Sequence, residues 1–317
     1  DHVHRFILIK LLHRNTKLHS RRHLRLNRVG ALFRETNCQV SFVSIISPNC
    51  LPTMIPTLEE LVAKSTVDTV KDGGAMLEAL AKTDAAQAEH MRQERVIVVD
   101  TKDVPVGTAH KGTAHFAANG LPLHRAFSVF WFNSDGNLLL QRRALEKATF
   151  PGYWTNTCCS HPLLRPDEYY PNSDLVRGIQ NAAIRKLQHE LGVDPNRIQP
   201  DALRYMTRIH YQALSDSGEW GEHELDYVFL LQHHDDVALN PSTEEVMDVK
   251  WVSPFELNEM FAAASRREIQ VTPWFRAIAE AFLPRWWLIL DTPEELDKAK
   301  DWETIHQVGD PCYCQRT

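Results

Sequence analysis

The sequence predicts an α+β domain, and three observations carry that prediction. Short apolar runs bounded by turn residues mix with amphipathic stretches, and the end of the chain turns helical. Two of the apolar runs flank an Asp135-Gly136 turn, the mark of a β-hairpin. The stretch from Asp174 to Leu191 carries apolar residues at steps of four and stops at Gly192.

The elements begin late. From His2 to Arg34 no acidic residue occurs and Lys, Arg and His recur, a composition that resembles an organelle transit peptide. A plain basic tail is the preferred reading, because the segment lacks an amphipathic repeat and the chain opens on Asp1 rather than Met. Residues 1–74 are expected to form a basic, irregular extension, disordered or targeting in character, and residues 75–317 the folded domain. Within the extension, Thr57-Leu-Glu-Glu60 reads as a capping box, so a helix of modest length should follow. Ala75 to Arg95, rich in Ala, Leu, Gln and Glu, reads as helix.

Arg95 to Val99 is a short apolar run, hence a buried strand. Phe127 to Phe132 and Leu138 to Gln141 are the hairpin strands around Asn133–Asn137. In the helix that follows, Leu175, Ile179, Ala183, Leu187 and Leu191 form one apolar stripe. Leu203–Ala213, Leu225–Gln232 and Val246–Val252 read as further strands. Ser253-Pro254-Phe-Glu256 then offers an N-cap, a proline at the first helical position and a reaching glutamate. Thr272-Pro273 and Thr292-Pro293-Glu-Glu295 repeat that start signal.

Composition narrows the function class. The chain of 317 residues is 43% hydrophobic and 24% charged, ordinary for a globular protein able to bury a large core. A net charge of −6 provides no basic field to attract nucleic acid or a membrane surface. The six cysteines, Cys38, Cys50, Cys158, Cys159, Cys312 and Cys314, show no disulfide spacing, which points to free thiols in a reducing compartment. No apolar run approaches the roughly 18 residues that span a bilayer, since Ala281–Leu290 is broken by Pro284 and Arg285. The last residues, Cys314-Gln-Arg-Thr317, form no lipidation or peroxisomal address, so a cytoplasmic location is the default, with organelle targeting by the N-terminal segment as the alternative.

Several residues suggest chemistry by spacing. Glu222 and Glu224 stand two apart beside a strand, where i and i+2 share a face, and paired carboxylates want a cation or a proton between them. Thr155-Asn-Thr-Cys-Cys-Ser-His161 follows a Pro151-Gly152 turn and places a thiol and an imidazole in a loop, with His115 and His124 upstream. His with Glu suits Zn²⁺ or another borderline metal, and Mg²⁺ where oxygens dominate. Taken singly, each has a plainer reading: a lone histidine as a satisfied core residue, the glutamates as a solvated strand edge, the cysteines as small hydrophobes. Arg142-Arg143 with Lys147 would be a solvated charge run.

Their co-occurrence with one set of flanks is specific. The runs Leu123-His-Arg-Ala-Phe-Ser-Val-Phe130, Gln141-Arg-Arg143, Phe150-Pro-Gly152, Trp154-Thr-Asn-Thr-Cys-Cys-Ser-His-Pro162, Lys186-Leu-Gln-His-Glu-Leu-Gly192, Trp220-Gly-Glu-His-Glu224, Trp251-Val-Ser-Pro254 and Thr272-Pro-Trp-Phe275 resemble type 1 isopentenyl-diphosphate isomerases of the Nudix superfamily, in their eukaryotic branch. The likeness runs from about Arg95 to near His306. It implies a Nudix-like α/β/α sandwich with a mixed β-sheet and additional helices. It also implies an isomerase of isoprenoid and sterol biosynthesis that interconverts isopentenyl and dimethylallyl diphosphate.

The same resemblance assigns residues. Cys159 and Glu224 are the catalytic pair, Tyr211 hydrogen-bonds the carboxylate, and the Trp274 face stabilises a carbocation. His115, His124, His161, Glu222 and Glu224 surround one divalent ion, Mg²⁺, Mn²⁺ or Zn²⁺. Glu190 lies near a Mg²⁺ that bridges the diphosphate, which Lys111, Arg143, Lys147 and Ser160 bind. Cys158 is matched to no role. The expected partner is an isoprenoid diphosphate, with no nucleic acid or membrane, and the expected state is a monomer or weak dimer. The rival from the same superfamily is a Nudix-type diphosphate hydrolase. Lys186, Gln188 and His189 stand where such a hydrolase wants further carboxylates, which weighs against cleavage. A rival of another class is a catalytically dead metal-binding scaffold, which would leave the filled catalytic positions unexplained.

Overall fold

The computed structural model describes residues 56–63, 73–169, 174–232 and 237–309, and the expectations for residues 1–55 lie outside them. The Thr57 capping box forms: Glu60 Oε2 accepts from the Thr57 amide at 2.8 Å and Thr57 Oγ1 from the Glu60 amide at 3.2 Å. It opens α1, Leu58–Ala63, whose Leu61 is fully buried. The Tyr169 hydroxyl donates to the Pro56 carbonyl at 2.6 Å and ties this entrance to the body.

The single helix expected over residues 75–95 is two, α2 (Gly73–Ala81) and α3 (Ala85–Gln93). Asp84 divides them, because its carboxylate caps the amides of Ala86 and Gln87 and begins a new helix. Then come β1 (Arg95–Val99), β2 (Pro105–His110), the short α4 (Lys111–His115), β3 (His124–Phe132) and β4 (Leu138–Arg143). Gly136, at φ +76°, makes the expected turn, but β3 and β4 pair over only two residue pairs. Beyond these the strands part: β3 runs parallel to β8 (Gly221–Gln232), and β4 pairs with β9 (Val246–Val252). Two short strands, β5 (Trp154–Thr155) and β6 (Cys158–Ser160), hold the segment expected to be a loop; β6 pairs with β3. After α5 (Leu175–Leu191) and β7 (Leu203–Leu214) the chain ends in α6 (Pro254–Ser265), α7 (Pro273–Ala281), α8 (Leu283–Ile289), α9 (Pro293–Lys298) and β10 (Ile305–Gln307).

The result is a mixed sheet of order β10-β7-β8-β3-β1-β2, with β4, β5, β6 and β9 branching from β3. Side chains alternate along each strand, so each strand feeds two cores. Phe127, Val129, Trp131, Leu225, Tyr227 and Phe229 join the core under α5 and α1. Phe130, Phe132, Val228 and Leu230 join the core under α6 to α9. The expected α/β/α sandwich is therefore what forms. The α5 stripe is buried on the first core, each fully buried aliphatic side chain contributing roughly 2 kcal/mol. Gly192 closes α5 at φ +66°, and a Cβ there would lie 2.3 Å from the Asn240 carbonyl oxygen. Ser253 and Glu256 make the full capping box of α6, whereas Thr272 gives its hydroxyl to Thr155 instead of capping α7. Among the described residues no helix is long and apolar enough to cross a membrane.

Candidate active site

Strand register builds the site. On β8, Glu222, Glu224 and Asp226 alternate onto the face of the second core. Parallel pairing sets His124 beside Glu224, and antiparallel pairing sets Tyr211 of β7 on its other side. Tyr211 reaches this face through a β-bulge. Tyr205 faces the first core, the register slips between Tyr205 and Thr207, and the odd residues Ile209, Tyr211 and Ala213 then face the second. On β6, Cys159 opposes Ser128 and joins the Glu224 face, while Cys158 is turned to the first core. The expected loop thiol is thus a strand thiol, and adjacent cysteines serve opposite faces.

His115 from α4, His124 from β3 and His161 just after β6 converge on Glu222 and Glu224, and all five are buried. Their ring centroids lie 4.8, 4.8 and 5.0 Å apart, and one ligand atom from each of the five falls within 4.8 Å of the rest. Nδ1 of His115 meets the Lys111 carbonyl at 2.7 Å, and Nδ1 of His124 meets the Pro122 carbonyl at 2.8 Å. A carbonyl only accepts, so each Nδ1 carries the proton and each Nε2 turns a lone pair inward. His124 Nε2 is buried without a hydrogen-bond partner, and Glu222 Oε2 stands 2.8 Å from His115 Nε2 without hydrogen-bond geometry. Facing lone pairs in a dry pocket are what a cation resolves, so three imidazoles and two carboxylates fit a divalent metal.

The electrostatics separate the two glutamates. Burial opposes charge on both, but His115, when its ring carries a second proton, holds the Glu222 carboxyl well below its usual range. Glu224 goes the other way: burial, then the neighbouring Glu222 and Asp226, hold it well above the usual range. His161 Nε2 lies 2.7 Å from Glu224 Oε1, and the Tyr211 hydroxyl donates to Oε2. Burial, with His115 beside it, pushes His124 down to about 3. Burial pushes the Cys159 thiol up to about 12, partly opposed by Arg143, whose Nη1 is 4.0 Å from Sγ. The Arg143 guanidinium is fixed by the Thr149 and Phe150 carbonyls and lies 5.8 Å from the Trp274 ring centre. Trp274 packs 5.2 Å from Phe150 and 5.7 Å from Tyr211 and donates to Asn156 Oδ1 at 3.2 Å.

A NUDIX domain model matches residues 122–275, the span that holds every one of these groups except His115 and the Lys111 carbonyl. The isopentenyl-diphosphate Delta-isomerase of Dictyostelium discoideum is 45% identical over 229 residues, 70% of this chain and 92% of that protein. Isopentenyl-diphosphate Delta-isomerase 1 of Bos taurus is 45% identical over 218 residues, 68% and 92% of the two chains. The Aspergillus fumigatus isopentenyl-diphosphate delta-isomerase is 42% identical over 276 residues, 83% and 96%. The chain belongs to the isopentenyl-diphosphate Delta-isomerase family.

The isomerase keeps its remaining candidate residues in a second group. Glu190 is not brought to the five-donor cluster. It lies with the first core, accepts from Gln141 Nε2 at 2.9 Å and from the Cys158 thiol at 3.4 Å, and pairs with Lys186 at 3.1 Å. Ser160, two residues along β6 from Cys158, alternates onto that same face. Lys147 pairs with Glu245, and Lys111 pairs with Glu94 at 2.8 Å. Lys186 also stands 3.8 Å from Glu245. Burial opposes the Lys186 charge, but Glu190 and Glu245 outweigh it and raise its proton affinity.

Glu94, Glu245 and the cationic role of Lys186 were missed from the sequence. The four-residue step from Lys186 to Glu190 along a helix face was the available signal for one of them. Glu94 and Glu245 stand in no recognised run. Asn156 was also unassigned, though it sits inside a recognised run; it orients Trp274 and donates to the Cys158 carbonyl at 3.0 Å.

Proposed function

We propose that the chain interconverts isopentenyl diphosphate and dimethylallyl diphosphate, with Cys159 and Glu224 moving the protons. The observation that carries this reading is a shared face: Cys159, Glu224, Tyr211 and Trp274 all belong to the second-core side of the sheet. The alkene takes a proton at its terminal carbon, positive charge forms at the neighbouring tertiary carbon, and a proton then leaves the carbon nearer the diphosphate. One group gives and another takes, so the two must flank the substrate. Glu224, held protonated by its surroundings and hydrogen-bonded by Tyr211, is one; Cys159 is the other. Trp274 offers a π face to the cation, and burial of Glu224, Tyr211 and Trp274 beside a half-buried Cys159 limits the access of water to it. A divalent cation on His115, His124, His161, Glu222 and Glu224 would supply charge that lowers the proton affinity of Glu224.

Arg143, Lys111, Lys147 and Ser160 are the proposed diphosphate ligands, and Glu190 the proposed carboxylate for an accompanying Mg²⁺. Lys111 and Lys147 would exchange a carboxylate partner for phosphate oxygens. All these residues come from one chain, so a monomer or weak dimer suffices. The test is proton NMR of the chain with isopentenyl diphosphate and Mg²⁺ in D₂O. Deuterium entering a methyl group of newly formed dimethylallyl diphosphate is expected. Phosphate release without isomerisation would overturn the reading in favour of the Nudix hydrolase.

A further inference from the structure

We propose a second metal site, formed by His90, His189 and Glu245, that takes a borderline divalent cation of the Zn²⁺ class. One ligand atom from each of the three lies within 4.8 Å of the others. The His90 and His189 ring centres are 5.4 Å apart, against 4.8–5.0 Å among the three histidines of that cluster. Two imidazoles and a carboxylate, with a coordination position left for solvent, are a donor set that zinc accepts.

The hydrogen bonds fix which ring nitrogens carry lone pairs. Lys186 Nζ lies 3.0 Å from His189 Nδ1, and an ammonium can only donate, so that nitrogen carries a lone pair. The same Nδ1 faces Glu245 Oε1 at 3.9 Å. His90 Nδ1 lies 3.3 Å from the Glu94 carboxylate, which fixes the proton on Nδ1 and the lone pair of the neutral ring on Nε2. Glu245 is buried, while the two histidine side chains are 34% and 37% exposed, so an ion has an entry path from solvent.

Lys186 is the competitor for His189. It is also held by Glu190 at 3.1 Å and approached by Glu245 Oε2 at 3.8 Å, so it can give up one hydrogen bond and keep its ion pairs. Glu94, Glu190 and Glu245 are already paired with Lys111, Lys186 and Lys147, so they screen the added charge only in part. The ligands come from α3, from α5 and from the residue before β9, so a bound ion would clamp the α3 helix onto the sandwich.

The test is zinc stoichiometry. The full chain is stripped with chelator and titrated with Zn²⁺ by calorimetry, alongside His90→Ala/His189→Ala and His115→Ala/His161→Ala. Wild type should take two equivalents at micromolar or tighter affinity, and each double variant one. Zinc should also raise the melting temperature of wild type by more than that of the His90→Ala/His189→Ala variant. If that variant fails to fold, the single His90→Gln change is read in the same titration, and it should weaken one of the two equivalents at least tenfold. A single equivalent in wild type, a second equivalent only at millimolar zinc, or two undiminished equivalents in the His90 and His189 variants overturns the site.

Discussion

At the scale of residues, Cys159 faces Arg143 and the Glu224 side of the sheet, whereas Cys158 gives its S–H to Glu190 on the other side. Strand alternation alone separates them, so exchange of roles between the two is not a small adjustment. We expect Cys159→Ala and Glu224→Gln each to lower kcat at least ~100-fold, the scale of a lost acid or base. Cys158→Ala should stay within about tenfold of wild type, since it loses one weak donor to a carboxylate that keeps Lys186 and Gln141. Steady-state kinetics on folded variants decides the matter, and a dead Cys158→Ala beside an active Cys159→Ala would reverse the assignment. Tyr211→Phe removes the only hydroxyl on Glu224 Oε2 among the described residues and should lower kcat by roughly 10- to 100-fold, the worth of one hydrogen bond to the carboxylate that Glu224 becomes when it gives up its proton. Four of the five metal-type donors were legible because each stands in a short recognisable run, whereas His115 stands in none and came only with the resemblance. Glu94 and Glu245 were not, because their partners Lys111 and Lys147 lie 17 and 98 positions away and leave no local trace.

At the scale of elements, those with strong local chemistry were readable. The α5 stripe, its glycine stop, the capping box of α6 and strand β1 occupy the residues their patterns indicate. What escaped was pairing. Nothing in the segment from His124 to Phe132 tells that it will lie parallel to a strand a hundred residues on, or that it will leave β4 after two pairs. The β7 bulge also escaped, yet it is what turns Tyr211 toward Glu224. The Gly192 stop carries its own prediction. A side chain there must hold φ +66° and push the Asn240 carbonyl away, so Gly192→Ala should cost at least about 2 kcal/mol. Urea unfolding measures it, and a loss under about 0.5 kcal/mol would mean that the Asn240 loop yields freely.

At the scale of the whole molecule, the protein carries two contrasting buried charge systems. The His/Glu cluster is a set of lone pairs awaiting a cation, whereas the Lys111, Lys147 and Lys186 group is matched one for one by Glu94, Glu190 and Glu245. The matched group makes stability depend on pH in a stated direction. Burial alone raises a carboxyl, but at Glu94 the Lys111 ammonium, the His90 ring and Lys186 outweigh it and hold the group far below its ordinary value of 4.5. Glu190 and Glu245 are likewise held down, chiefly by Lys186 and Lys147 against burial. A carboxyl depressed in the folded state contributes its full stability above the unfolded value and loses it as pH falls below that value. The fold should therefore weaken steadily from about pH 5 downward. Glu94→Gln isolates one term: it strands Lys111 in a largely buried place and should cost roughly 3 kcal/mol at pH 7. In wild type that advantage requires an ionised Glu94, so the gap between the two proteins should close as pH drops from about 5 toward 3. Urea unfolding of metal-free protein across that range reads both curves, and a gap that holds constant or widens in acid would mean that the Lys111 pair contributes nothing to the folded state.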